Sequence, residues 1–451
     1  MSWSRSFTAL RGAIDHDISA KQMKLSRLYL KDIRCFKELK IKFDEPGSSI
    51  LIIGENADGK STVLRSLAMG LCDQSSASAL FRELPGEFVR HGAEETGGII
   101  EVDLVCGHDT FRIQTIITSL DAFERVEQKY WKWSDNGEKK AKKVKIDQDA
   151  FPWESIFASG YGAGLRVQGT ADFEYFLTVD AVYPLFRYDV PLQNPELIVR
   201  RLVAQANQQN ENDESHEMRV LNEVTQLLAG ILDLESKDQV RLTATGIAIH
   251  GRWGASTLSA LGDGYRSIVT LILDMVAWWF LKQQQDEEDG PLTDISGIVL
   301  IDEIEQHLHP KWQRNIISRL TACFPRVQFI ATTHSPLVAS GCDQIQVHKI
   351  DMSKHEVVSP FGWLAEDVYQ AMGLQEGTRA RSFRRDVIEA YRALDIKRLK
   401  GEATKFDLAK LKQLQEKLDA LPEDDPTRLI TELDSIRLAI VGSRGKKGGS
   451  Q

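Results

Sequence analysis

Polar and apolar positions alternate from Met23 to Phe43: Leu25, Leu28, Leu30 and Ile33 are apolar, then Leu39, Ile41 and Phe43 after Arg34-Cys35-Phe36-Lys37. A period of two with one polar interruption predicts two strands, and Glu45-Pro46-Gly47 supplies the next turn. The pattern then changes. Ile50-Leu51-Ile52-Ile53 is continuously apolar and stops at Gly54, and Val63, Leu64, Leu67 and Ala68 follow with helical spacing, so the stretch reads as strand, glycine-bounded loop, helix. Ile99, Ile100, Val102, Leu104 and then Phe111, Ile113, Ile116 predict antiparallel strands between Gly97 and Asp149, with a hairpin turn at Asn136-Gly137. Helical spacing runs over Pro191 to Gln209 and Glu217 to Leu234 around the polar run Asn207 to Ser215, and Val240 to His250 reads as a strand. An apolar helix, Ile268 to Leu281, precedes two apolar strands, Gly297 to Ile301 and Val327 to Ala331. Beyond them the chain turns helical and charged. Trp363 to Met372 and Arg379 to Leu394 have helical spacing, Leu408, Leu411, Leu414, Leu418 and Leu421 form a stripe, and Thr427 to Ile440 forms a last helix after Glu423-Asp424-Asp425-Pro426. The last two predict an αα-hairpin, and the whole an α/β fold with a helical C-terminal region.

At 451 residues the chain has room for one large α/β domain with insertions or an appendage, and its net charge of -9 argues against wholesale coating of nucleic acid. Five scattered cysteines with no C-x-x-C pair suggest neither a zinc site nor a disulfide framework, and fit a reducing cytoplasm. The first twenty residues lack a signal-type apolar core, and the run Ile268 to Leu281 carries Asp274 and is too short to span a bilayer, so a soluble protein without a membrane partner is expected.

The chemistry concentrates at strand ends. Gly54, Glu55, Asn56, Ala57, Asp58, Gly59, Lys60 and Ser61 fit G-x-x-x-x-G-K-[ST], in which loop amides and a helix N-terminus face a phosphate chain. Lys60 then reaches the β- and γ-phosphates of ATP, and the Ser61 hydroxyl, with Thr62 beside it, ligates Mg²⁺. Asp302 and Glu303 end the strand Gly297 to Ile301, where Asp302 suits the Mg²⁺ shell and Glu303 the polarisation of an attacking water. His334, just past the strand Val327 to Ala331, is placed to donate to the γ-phosphate. A second glycine loop, Leu261-Gly262-Asp263-Gly264-Tyr265-Arg266-Ser267, opens the long apolar helix and offers another anion-binding end. Lys129, Lys132, Lys139, Lys140, Lys142, Lys143 and Lys145 interleave with Tyr130, Trp131 and Trp133. They read either as a nucleic-acid contact or, the reading favoured here, as a hairpin whose tryptophans face the core while the lysines face water. Gly160 to Arg166 is glycine-rich and reads equally as a loop near the nucleotide, with Arg166 available for a phosphate, or as a plain turn.

The order GENADGKS, LGDGYRS, IVLIDE, IEQHLHP and ATTHSP resembles the ABC-type ATPase heads of the SMC, RecF and OLD group over residues 23–350. The resemblance implies a mixed sheet with an antiparallel β lobe and a helical lobe, and two heads that dimerise face to face around two ATP molecules. Gly262, Asp263, Gly264 and Tyr265 would then contact the γ-phosphate of the neighbour's ATP. Glu305 to Pro310 would form the loop between the two sites, His334 would be the switch histidine, and Gln168 would link Mg²⁺ to the helical lobe. The family signature begins L-S-G-G, and Gly262 in place of its serine removes a hydroxyl donor, so turnover is expected to be slow. No heptads between Leu71 and Thr257 support a long coiled coil, and no D-x-D pair after Val338 supports a Toprim nuclease. The remaining pattern is similar to the PtuA-type ATPase subunits of Septu and retron antiphage systems. That implies an oligomer holding a separate nuclease of HNH type, or of Toprim type if the chain is instead of the PARIS kind. The alternative is a RecF-type repair ATPase gripping duplex DNA. The expected divisions are an extension over 1–22, the ATPase domain over 23–350, a helical docking or oligomerisation region over 351–441, and a basic tail over 442–451.

Overall fold

The computed structural model describes residues 22–419 apart from 85–86, 94–95, 121–122, 135–141, 165–172, 188, 191, 207–215, 252–253, 287–289, 352–353, 364–366 and 369–378. The expectations for Arg166, Gln168, Lys139, Lys140, the Asn136-Gly137 turn and the helix Thr427 to Ile440 lie outside the described residues. The chain divides into two compact units, residues 1–373 and 374–451. In the first unit, β1 (Lys24–Ile33), β2 (Phe36–Lys42), β4 (Gly98–Cys106), β5 (Asp109–Leu120), β6 (Phe123–Ser134) and β7 (Val144–Ile146) form an antiparallel sheet in the order β2-β1-β4-β5-β6-β7. A second sheet joins β3 (Ile50–Ile53), β8 (Ala158–Tyr161), β12 (Ser296–Ile301), β13 (Arg326–Thr333), β14 (Gln346–Asp351) and β15 (Lys354–Val358) in the order β15-β14-β3-β13-β12-β8. All its pairings are parallel except β14 with β15. β9 (Val240–Thr243), β10 (Gly246–Gly251) and β11 (Gly254–Thr257) make a small third sheet, so the single strand expected over 240–250 is a hairpin turning at Thr243 to Gly246. Among the described residues this unit has the helices α1 (Lys60–Gly70), α2 (Gln74–Arg82), α3 (Thr178–Val182), α4 (Pro195–Ala206), α5 (His216–Ile231), α6 (Asp263–Asp286), α7 (Pro310–Gln313), α8 (Ile316–Cys323) and α9 (Pro336–Ser340), with Asp367 and Val368 also helical.

The continuous apolar runs follow from a sheet covered on both faces. Leu51, Ile53, Val299, Ile301, Phe329 and Ala331 belong to the core shared with α4, α5 and α6, whereas Ile50, Ile52, Ile298, Leu300 and Ile330 belong to the core under α1 and the antiparallel sheet. Each such fully buried side chain stabilises the fold by about 2 kcal/mol. α1 is thereby held between two sheets, so closely that a Cβ on Gly70 would lie 2.4 Å from Val102 Cγ2. α6 is long and apolar enough to cross a membrane by length and composition, and 72% of that window is buried inside the fold, as a core helix is.

Two expectations change. The boundary after residue 350 falls inside β14, and β15 extends the parallel sheet, so the first unit reaches Gly373. Trp131 and Trp133 do not face the core. Their register partners are Arg112 and Thr110, while Ile113 and Thr115, fully buried, pair with Tyr130 and Gln128. Tyr130 takes the inward place because its ring packs on Phe151 and Trp153 and its hydroxyl donates to Gln128 Oε1 at 2.7 Å. A period of two cannot choose between faces when both carry aromatics. The outward tryptophans are covered instead by Lys143, whose Nζ lies 4.4 Å from the Trp131 ring centroid and 5.5 Å from that of Trp133. In the second unit, α10 (Arg379–Lys400) and α11 (Lys405–Asp419) pack Tyr391 and Leu394 on Leu411 and Leu414. The described helix pair is therefore α10 with α11, and Leu408 of the stripe is exposed.

The β14–β15 hairpin carries a stacked pair, His348 and His355, with Nδ1 of His348 2.7 Å from Nε2 of His355. Burial, and then the neighbouring His355, push His348 down to about 4. A histidine lowered in the folded state binds fewer protons than in the unfolded chain, so stability is full above pH 6.5 and falls as the pH drops toward 4. The cost is on the order of 3 kcal/mol at pH 4. Thermal unfolding between pH 7 and 4 should show this loss, and His348→Leu should flatten it; an unchanged slope would contradict the assignment.

Candidate functional site

Three strands of the parallel sheet end together. β3 runs into Gly54, β12 into Asp302 and β13 into Thr333 and His334, and the parallel registers pair Ile53 with Thr333 and Ala331 with Ile301. Lys60, buried at the start of α1, folds back to donate from Nζ to the carbonyls of Gly54 at 2.9 Å and Glu55 at 2.7 Å, and lies 3.2 Å from Nδ1 of His334. Burial lowers its pKa, opposed by Asp58, Asp302, Glu303 and Glu305. His334 is also lowered, by burial and then by Lys60, so the ring is neutral near pH 7. Because an ammonium only donates, Nδ1 accepts and the ring proton sits on Nε2. That nitrogen faces Glu303 Oε1 at 3.6 Å.

Thr332 sets both acids. Its hydroxyl donates to Asp302 Oδ1 at 2.5 Å and accepts from the Glu303 amide at 2.8 Å. Glu303 itself takes a left-handed backbone, φ 46°, and accepts from the Gln306 side-chain amide. Glu305, expected in the loop between two sites, has a further part that sequence reasoning missed: it accepts from the His334 amide at 2.6 Å and from the Thr333 hydroxyl at 2.7 Å. Its position three residues past Asp302 gives no periodic signal for that contact.

The phosphate loop is braced from an unexpected side. Gly59 has φ 90°, and a Cβ there would lie 2.6 Å from both Cys35 Sγ and the Phe36 ring, so the β1–β2 turn backs the loop. Gly54 is as confined, with a Cβ position 2.5 Å from the Ile350 carbonyl. Asn56 and Ala57 are exposed at the loop's crest. Asp58 Oδ2 accepts from the Glu55 amide at 2.6 Å, which places a carboxylate on an amide of the loop. A negative charge there opposes a phosphate chain. Asp58→Ser retains an acceptor without the charge and should tighten ATP binding several-fold, read by titration calorimetry; weaker binding would mean that the carboxylate shapes the loop.

Ser61 heads α1 with Thr62 beside it, and Asp302 is 3% exposed. A hydroxyl and one carboxylate are the hard oxygen donors Mg²⁺ takes from a protein, the remainder of its shell being phosphate and water, so the donor set fits the ion. Among the described residues no group of three or more His, Cys, Asp or Glu forms a closed metal cluster.

The signature loop divides in two. Gly262 has nothing within 4 Å of its Cβ position, and Asp263, exposed, pairs with Arg266 on the first turn of α6. Gly264 and Tyr265 are engaged within the chain. A Cβ on Gly264 would meet the His307 carbonyl at 2.5 Å, and the Tyr265 ring meets Trp312 edge to face, 4.8 Å between centroids. Within the chain, the Tyr265 ring thus packs on α7.

Sequence models described as "AAA domain" and "AAA domain, putative AbiEii toxin, Type IV TA system" match residues 27–179 and 270–340, which contain Lys60 and the Asp302–His334 group respectively. The chain is 28% identical over 329 residues to the Septu protein PtuA of Bacillus mycoides (strain KBAB4), covering 71% of this chain and 39% of that protein. It is 24% identical over 429 residues to the Retron Vc95 probable ATPase of Vibrio cholerae serotype O1 biovar El Tor, covering 81% of this chain and 82% of that one. It thus spans well under half the length of the Bacillus relative. Among solved structures, an SMC head bound to the C-winged helix domain of ScpA aligns with a TM-score of 0.40 and 16% identity, over 76% of this chain and 99% of that one. With five motifs in this order and three strand ends meeting at Lys60, the chain has the mixed α/β fold of an ABC-type ATPase head and is similar in sequence to proteins named as ATPases.

Proposed function

We propose that the chain binds ATP with Mg²⁺, hydrolyses it slowly, and uses ATP to join two copies head to head as the regulatory scaffold of a cytoplasmic antiphage complex with a separate nuclease. The observation that carries the chemical part is the linked group Lys60, His334, Glu303, Thr332 and Asp302, with 3.2, 3.6, 2.8 and 2.5 Å between successive members. In this reading the Gly54 to Ser61 loop holds the phosphates, and Lys60 exchanges its two carbonyl partners for phosphate oxygens. Ser61 and Asp302 hold Mg²⁺, which supplies charge neutralisation at the phosphates. Glu303 orients and polarises the water, and the Nε2 proton of His334 donates to the γ-phosphate. Gly262, open on the surface, meets the ATP of the second copy.

The relatives named Septu protein PtuA and Retron Vc95 probable ATPase support the defence role, and an HNH nuclease is the favoured partner, with a Toprim nuclease as the other candidate. Expression in a bacterial host and capture of the full chain should bring down one nuclease subunit; capture of repair proteins alone would sink this part. One observation favours the alternative, a RecF-type ATPase on duplex DNA: the outward face of β5–β7 carries Trp131, Trp133, Lys143 and Lys145. Gel shifts over a salt titration decide, since phosphate contacts weaken steeply with salt. No salt-sensitive duplex binding is expected.

A further inference from the structure

Asp274 lies in the middle of α6, three turns beyond the signature glycines, and is 2% exposed. Its Oδ2 accepts from the Tyr161 hydroxyl at 3.1 Å and its Oδ1 from the Gln193 amide at 2.8 Å, and the Trp278 side chain also donates to it. Among the described residues it has no cationic partner. Tyr161, fully buried, is the last residue of β8, and its carbonyl accepts from the Asp302 amide at 2.8 Å. One side chain thus links the signature helix to the strand end that holds the Mg²⁺ carboxylate.

An apolar core helix needs no carboxylate, and an unpaired buried one is costly. The junction around it is also incompletely satisfied: Ser159 Oγ on β8, Thr270 Oγ1 and Trp279 Nε1 on α6, and Gln193 Nε2 are buried without hydrogen-bond partners. A polar, under-bonded seam between α6 and β8 is a poor way to fix two elements permanently and a suitable one for elements with two arrangements.

We propose that Asp274 is a positioning residue: through Tyr161 it transmits occupancy of the ATP site to the signature end of α6, setting Gly262 and Asp263 for the second copy. This deepens the ATPase reading and rests on it. Among the described residues the groups that bond to Asp274 are the Tyr161 hydroxyl from β8, the Gln193 amide and the Trp278 side chain of its own helix. Burial raises the Asp274 carboxyl to about 7, its three donors opposing. Ionised, it accepts all three bonds; protonated, it gives up an acceptor site, so the link is tighter above pH 7 and looser below.

The test is hydrogen exchange of the full chain, with and without ATP and Mg²⁺, at pH 6 and 8 after correction for intrinsic rates. At pH 8, ATP should slow exchange at Gly54 to Thr62 and also at Asp263 to Ser267. Asp274→Asn and Tyr161→Phe should keep the first effect and lose at least half of the second, and the double variant should lose no more than either single. The wild-type chain at pH 6 should behave as Asp274→Asn does at pH 8. Full transmission in both variants, or additive losses in the double variant, would overturn the proposal while leaving ATP binding intact. Absence of protection at Gly54 to Thr62 in the wild-type chain would overturn the ATPase reading and this inference with it. Unfolding curves for each variant separate a lost link from a lost fold.

Discussion

Glu303→Gln is expected to lower ATP turnover by at least a hundredfold, the usual scale for losing a positioned base, while ATP affinity stays within a few-fold. The change is nearly isosteric. Glu303 is half-buried and its backbone amide, not its side chain, holds the Thr332 hydroxyl at 2.8 Å, so the acid pair's frame survives. The amide cannot accept a proton from water, whereas Lys60, Ser61 and Asp302 are untouched. ATP is then bound and not consumed, and ATP-joined copies should accumulate. Phosphate release with mass photometry reads both effects; unchanged turnover would remove Glu303 from the role of base and direct attention to another acid.

Lys60→Met is expected to weaken ATP binding at least a hundredfold while leaving thermal stability equal or higher. Met fills the space of the lysine stem, at a residue that is 5% exposed, and removes an ammonium whose charge burial already disfavours. The carbonyls of Gly54, buried, and Glu55, part-buried, lose a donor, which offsets part of that gain. In the bound state the same ammonium faces a triphosphate in low dielectric, where its attraction is large. Titration calorimetry and thermal unfolding give the two numbers. Tight binding by the variant would show that the loop amides and α1 suffice; a large drop in stability would show that Lys60 is structural.

Much of this site was legible in the sequence because its parts are local. A phosphate loop is fixed by consecutive residues between a strand and a helix, and the Asp302-Glu303 pair by an apolar run that stops abruptly. The doubly covered sheet was legible for the same reason: Ile50 to Ile53 and Gly297 to Ile301 are apolar at every position, and both faces are buried. What was not legible depends on partners distant in sequence. Nothing near Cys35 announces that it backs Gly59, and nothing near Glu305 announces that it holds the His334 amide. Nothing near Tyr265 announces that its ring packs on Trp312, forty-seven residues on. Trp131 and Trp133 were misplaced by face because period-two spacing leaves the choice of face to the strand's neighbours.

The central claim is that each ATP site needs two copies of the chain. Gly262→Glu provides the test, since the Gly262 Cβ position is open and the substitution should fold normally, yet it would set a carboxylate against a neighbour's γ-phosphate. Lys60→Met disables the loop of its own copy instead. Each variant alone should hydrolyse ATP at under a tenth of the wild-type rate. Mixed in equal amounts, they should recover clearly more than the sum of the two, because some pairs then join an intact loop to an intact signature. A mixture no more active than that sum, or full activity of Gly262→Glu alone, would show that the site is complete within one chain.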